Sequence, residues 1–179
     1  MLVSATRQNR LMGTPGRADR TVTVERTIDA PPELIFALLA DPARHHQIDG
    51  SGTLHGRSRG PQRLELGSTF SMAMQQSKFR YRSMNRVIEF VDNRVIAWET
   101  VGERNGRRFI GGQRWRYQLV PIAGPDGLPS TLVLHSYDWG AALFAPAIHL
   151  AGYPRRMALG MTKTLQRLAS AISADASKR

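Results

Sequence analysis

Cysteine is absent from these 179 residues. Its absence excludes a disulfide, a thiolate metal site and a cysteine nucleophile, and it fits a reducing compartment. Long apolar runs are also missing, since none approaches the roughly 18 residues needed to cross a bilayer. The opening MLVSATRQNRLMGT holds no apolar stretch of signal-peptide length, so a cytoplasmic protein is expected. There is no Gly-x-Ser-x-Gly nucleophile elbow. Gly50-Ser51-Gly52 and Gly111-Gly112 neither follow a strand nor open a helix, as a phosphate cradle requires, and they read as turns. No two carboxylates can be placed at one shared site. Internal repeats are lacking as well.

What remains is enough for one ordinary domain with a real core, 41% of the chain being hydrophobic. Residues 1–19 lack periodicity, contain Gly13, Pro15 and Gly16, and read as a mobile tail ahead of a single domain over 20–175. The formal charge is +11. A basic chain invites a nucleic-acid or anionic-membrane partner. Here, however, Arg7, Arg10, Arg17 and Arg20 belong to the tail, Arg57, Arg59 and Arg63 to a loop, and the rest scatter along strands. No nucleic-acid motif accompanies them, so the charge reads as a solvated surface and a nucleic-acid partner is not expected.

The clearest element is the last one. Met157, Met161, Leu165, Leu168 and Ile172 recur at helical spacing, opposite Lys163, Gln166, Arg167 and Ser170, and Pro154 suits the first turn. The spacing predicts a helix over 154–173 that must bury its stripe against something. At the other end, Val22, Val24 and Ile28 alternate with polar residues as in a half-buried strand. Asp29 is a candidate N-cap for a short helix carrying Leu34, Ile35, Leu38 and Leu39, and a second short helix is expected over 42–48. Strands are expected over 69–75, 80–91, 94–103, 111–120 and 131–139, with a shorter one at 53–57. A two-residue turn at Asp92-Asn93 would set Val87 opposite Trp98 and Glu89 opposite Ile96. Strands joined by short turns imply an antiparallel meander with segregated helices, an α+β fold.

Several phrases in this order resemble the START-related superfamily, also called SRPBCC or polyketide cyclase/dehydratase-like. They are Asp29-Ala-Pro-Pro-Glu-Leu-Ile-Phe, Leu66-Gly-Ser-Thr-Phe, the hairpin from Arg86 to Trp98, Arg114-Trp-Arg-Tyr-Gln-Leu-Val-Pro, and Ser130-Thr-Leu-Val-Leu. Together they cover about residues 20–173. The resemblance implies a helix-grip fold, in which a curved antiparallel sheet of six or seven strands wraps around the C-terminal helix and leaves a cavity between them. It also implies a hydrophobic small-molecule ligand: lipid-, isoprenoid- or polyketide-like.

Within that frame the candidate ligand-binding residues are Met72, Met74, Trp98, Trp115, Tyr117, Val133, Phe144, Met157 and Met161. Arg114 and Arg116 should take the outer face and leave Trp115 and Tyr117 inside, whereas the facing of Trp98 is undetermined. His135 and Tyr137 share one side of the last strand and are candidate acid/base groups for a cyclase or dehydratase. The plain alternative is a structural, hydrogen-bonded histidine. Asp138 should face the other way and cap the helical segment after it. His46 and Asp49 are candidates at the cavity mouth, the plain alternative being a solvated helix end. With His45 and His55 they form a cluster that lacks the spacing of a zinc site, so neither metal nor cofactor is expected. The apolar segment Gly140–Gly152 reads in three ways: a lid, the kinked first half of the final helix, or a patch for a membrane or a homodimer partner. The basic surface would suit an acidic head group on the ligand. These residues leave open whether the chain is a binding module or an enzyme.

Overall fold

Alternating β-branched and polar residues make Thr21–Ile28 a strand, β1, in the computed structural model of the chain, which describes residues 20–76, 78–104, 107–150 and 152–178. The expected tail over 1–19 lies outside the described residues. After β1 come two short helices, α1 (Pro32–Leu39) and α2 (His45–Ile48). Next are β2 (Thr69–Gln76), β3 (Phe79–Val91), β4 (Val95–Arg104), β5 (Arg107–Ala123) and β6 (Pro129–Asp138). The chain ends in α3 (Ala145–Leu150) and α4 (Tyr153–Ala176). The six strands form one curved antiparallel sheet in the order β1-β6-β5-β4-β3-β2. This is the helix-grip arrangement. Among the described residues no helix is long and apolar enough to cross a membrane.

Several local expectations are corrected. Residues 53–57 form no regular strand. Gly56 adopts a φ of 73°, and the chain from Leu54 to Arg59 pairs with β2 through isolated bridges at Leu54–Met74 and Arg59–Ser71, which cover that edge of the sheet. Asp29 does not cap α1. The N-cap is Pro31, without a side-chain bond, and Asp29 instead accepts a 2.9 Å hydrogen bond from the Ser130 hydroxyl, tying the start of α1 to β6. Gly111 and Gly112 are not a turn. They lie inside β5 at a bulge opposite Thr100 and Val101, where a Cβ on Gly112 would fall 2.0 Å from the Ala141 carbonyl oxygen. The loop after β6 therefore packs onto β5 at a point only glycine permits.

The β3–β4 hairpin turns through three residues, not two, since Val91 pairs with Val95 and Asn93 takes a φ of 59°. Glu89 accordingly pairs with Ala97 and not with Ile96. A bulge between Val87 and Glu89 then removes the extra residue, and Val87 still pairs with Trp98. Two one-residue offsets cancel. Because facing alternates along a strand, the cancellation decides which way everything beyond the bulge points.

Helix α4 meets the sheet unevenly. Leu165, Leu168 and Ile172, in its C-terminal half, are buried in one cluster with Ile28, Leu119, Val133 and the apolar face of α1. Met161 belongs to a smaller cluster with Tyr137, Trp139 and Ala145, and Met157 is only half-buried. The helix is thus pinned at its C-terminal end and stands off the sheet towards its N-terminal end. It starts after Gly152, whose φ of 65° breaks it from α3. The segment before α4 is therefore a separate short helix, with Leu143, Phe144 and Leu150 exposed around it.

Candidate functional site

The space left by this wedge is a cavity of about 570 Å³ between the concave face of the sheet and the N-terminal half of α4. Strand alternation supplies its floor. On β2 Met72 and Met74 face in, on β4 Trp98 and Thr100, on β5 Gln113, Trp115 and Tyr117, and on β6 His135 and Tyr137. Met157, Gly160, Met161 and Thr164 of α4 form the roof, and the Asp49–Leu54 loop closes one side. That loop is seated by glycine. The Gly50 N–H donates to the Thr164 hydroxyl at 3.0 Å, and a Cβ on Gly50 would lie 2.3 Å from the Gly160 carbonyl oxygen. The Asp49 carboxylate accepts from the backbone N–H groups of Ser51, Gly52 and Leu54, and Arg167 donates to the Asp49 carbonyl.

Most of the residues singled out in the sequence meet at this cavity. Met72, Met74, Trp98, Trp115, Tyr117, His135, Tyr137, Asp49, Met157 and Met161 all line it. Three stand elsewhere. Val133 pairs with Leu119 in the tightly packed end, where Leu165 and Leu168 fill the space above it. The His46 ring is exposed and bonds the Ala43 carbonyl of its own turn, so the neighbouring His45 points inward in its place. Phe144 lies outside, 65% exposed.

Other lining residues were passed over in the sequence. On β3 the exposed Arg82, Met84 and Arg86 alternate with Tyr81, Ser83 and Asn85, which line the cavity. The arginine alternation that places Trp115 and Tyr117 would have found them too. His45 had no such signal, because a single helical turn does not say which of two adjacent histidines faces the core.

The lining is largely aromatic and interlocked. The His45 ring stacks on Trp98 at 5.4 Å, and Trp98 contacts Tyr117 at 5.6 Å. Tyr117 stacks on His135 at 3.9 Å, and Trp115 lies 4.5 Å from Tyr137. Set into this apolar surface are polar atoms without a protein partner: both ring nitrogens of His135, the Tyr137 hydroxyl, Asn85 Nδ2 and Gln113 Oε1. Burial lowers the His135 pKa to about 3, and burial raises that of Tyr137 above the ordinary phenol value. His45 is held below its usual value by burial as well, although Nε2 lies 2.9 Å from the Leu39 carbonyl oxygen. At neutral pH the floor is therefore uncharged. It can donate and accept hydrogen bonds, but it is poorly placed to exchange protons.

Comparison with known proteins agrees with this fold. The family described as polyketide cyclase / dehydrase and lipid transport matches residues 19–173. The chain is 32% identical over 162 residues to the uncharacterized protein Rv0088 of Mycobacterium tuberculosis, an alignment covering 86% of this chain and 63% of that relative. Protein NE0264 from Nitrosomonas europaea has a crystal structure that superposes with a TM-score of 0.63 over 89% of this chain and 98% of its own, at 14% identity. Protein Ms6760 from Mycobacterium smegmatis gives 0.62 over 90% and 96%, at 12% identity. At such low identity these structures speak to the fold alone.

Proposed function

This chain belongs to the polyketide cyclase / dehydrase and lipid transport family, and from that premise we propose that it binds a hydrophobic small molecule in the cavity between its sheet and α4. The observation that carries the reading is the cavity itself: about 570 Å³, walled by Met72, Met74, Trp98, Trp115, Met157 and Met161, with a few polar atoms left unpartnered among them. A mostly apolar pocket with sparse polar anchors is the usual form of a small-molecule site. A catalytic use of His135 and Tyr137 is the weaker reading. An imidazole with a pKa near 3 is largely unprotonated at neutral pH and too weak a base to draw a proton from most substrates. Both groups fit the task of holding a ligand better than that of moving its protons.

Titration of the full chain with Nile red tests this. Saturable fluorescence enhancement with one site per chain is expected, together with its loss in Met157→Trp, whose indole would occupy the space under the roof. Enhancement that is unsaturable, or unchanged in Met157→Trp, rejects the cavity as the binding site.

A further inference from the structure

We infer that the cavity selects an uncharged ligand bearing a hydroxyl-like function at each end, one end held by Asn85 and Gln113 and the other by His135 and Tyr137. The inference rests on the binding role proposed above and adds the chemistry of what is bound.

The first support is where charge lies. The fully charged side chains among the lining residues are Asp49, Arg82 and Arg156, and each is engaged or at the rim. Asp49 is saturated by the backbone N–H groups of its own loop. Arg82 is exposed and donates to the Ser71 hydroxyl. Arg156 is exposed and stands over the Tyr153 ring at 5.2 Å. An ionised head group drawn to the floor would lose its water and find no counter-charge. The acidic head group expected from the basic surface therefore has no seat on the cavity floor, and the two lining arginines stand at its exposed edge.

The second support is the placement of the unpartnered polar atoms. Asn85 pairs with Thr100, and Thr100 with Gln113, so one polar row crosses β3, β4 and β5. Asn85 Oδ1 already accepts from the Thr100 hydroxyl at 2.9 Å, which leaves Nδ2 as a donor on β3 and Gln113 Oε1 as an acceptor two strands away on β5. On β6, Tyr137 and His135 sit opposite Trp115 and Tyr117. Buried neutral imidazole offers one donor and one acceptor, and the phenol offers a proton. Trp98 and Trp115, themselves paired across β4 and β5, lie between Asn85 on β3 and the His135–Tyr137 pair on β6, while Gln113 is a diagonal neighbour of Tyr137. Strand spacing and rise put the poles on the order of 10 Å apart. A hydroxyl both donates and accepts, so it satisfies either pole, and a flat apolar body between two hydroxyls would lie against the indoles.

A matched series of rigid biphenyls, competed against Nile red, is the test. 4,4′-Dihydroxybiphenyl should displace the dye most strongly, 4-hydroxybiphenyl about 3–10-fold less well and biphenyl weaker again, each step removing one hydrogen-bonded end. Biphenyl-4,4′-dicarboxylate should be the weakest. Tyr137→Phe should weaken the diol about 3–10-fold and leave biphenyl unchanged. Dicarboxylate binding as tight as the diol, or biphenyl equal to the diol, overturns the inference. If biphenyl competes but hydroxyls add nothing, the selection fails while the cavity reading stands. If no member competes, the selection fails, and the cavity reading is decided by the dye titration and Met157→Trp alone.

Discussion

The rings of Tyr117 and His135 lie face to face, their centroids 3.9 Å apart and their planes within 15°. The two residues pair across β5 and β6, so the stack is set by sheet register and not by a hydrogen bond. Neither His135 nitrogen has a protein partner. The imidazole is thus fixed by its faces and left free at its edge, where a ligand's hydroxyl would meet it. Stacking fixes orientation without consuming donor or acceptor capacity.

That arrangement should make the protein acid-sensitive. A histidine with a folded pKa of about 3 and an unfolded value near 6.5 takes up its proton only on unfolding. The unfolded chain therefore binds more protons between those values, and stability falls as pH drops below about 6.5. His45, also lowered, adds in the same direction. Each group can contribute a slope of at most about 1.4 kcal/mol per pH unit. Urea unfolding at pH 5 and pH 8 should show the loss, and His135→Gln should flatten it. An equal loss in His135→Gln would show that this imidazole is not the source.

The uneven seating of α4 should be visible in two deletions. Leu168 is fully buried at the pinned end, and Leu168→Ala should cost about 2–5 kcal/mol. Met157 already borders open space, so Met157→Ala should cost under about 1 kcal/mol. Chemical denaturation of the two variants compares them directly. Similar costs would mean that the helix is packed evenly along its length.

Gly50 is where the mouth loop meets the helix. In Gly50→Ala the new methyl must displace the backbone at Gly160 and Thr164, at about 1–3 kcal/mol, and the bond to the Thr164 hydroxyl should be lost. Gly52 offers the control. Its φ of 70° strains an alanine, but nothing lies within 4 Å, so about 1 kcal/mol is expected there. Thermal melts would rank the two, and a Gly50→Ala protein as stable as the parent would contradict the close approach.

Asn93 holds the three-residue turn of the β3–β4 hairpin in the left-handed region. Asn93→Gly should leave stability within about 0.5 kcal/mol, while Asn93→Val should lose about 1–2 kcal/mol because a branched Cβ clashes there. Denaturation midpoints measure both. A harmless valine would mean that the turn can take another form.

The sequence by itself determined the elements and much of the cavity lining. Periodicity is local, so the α4 stripe, the strand alternations and the inward side of Trp115 and Tyr117 could be read without coordinates. Tertiary structure decided what depends on register and on distance along the chain. The facing of Trp98 required two offsets, at Asn93 and Ile88, to cancel. The exclusion of Val133 from the cavity required knowing at which turn α4 leaves the sheet. The choice of His45 over His46 came from docking a one-turn helix on Trp98. Above all, whether α4 closes on the sheet is a property of neither element alone: it depends on where Leu165, Leu168 and Ile172 find partners and where Met157 does not.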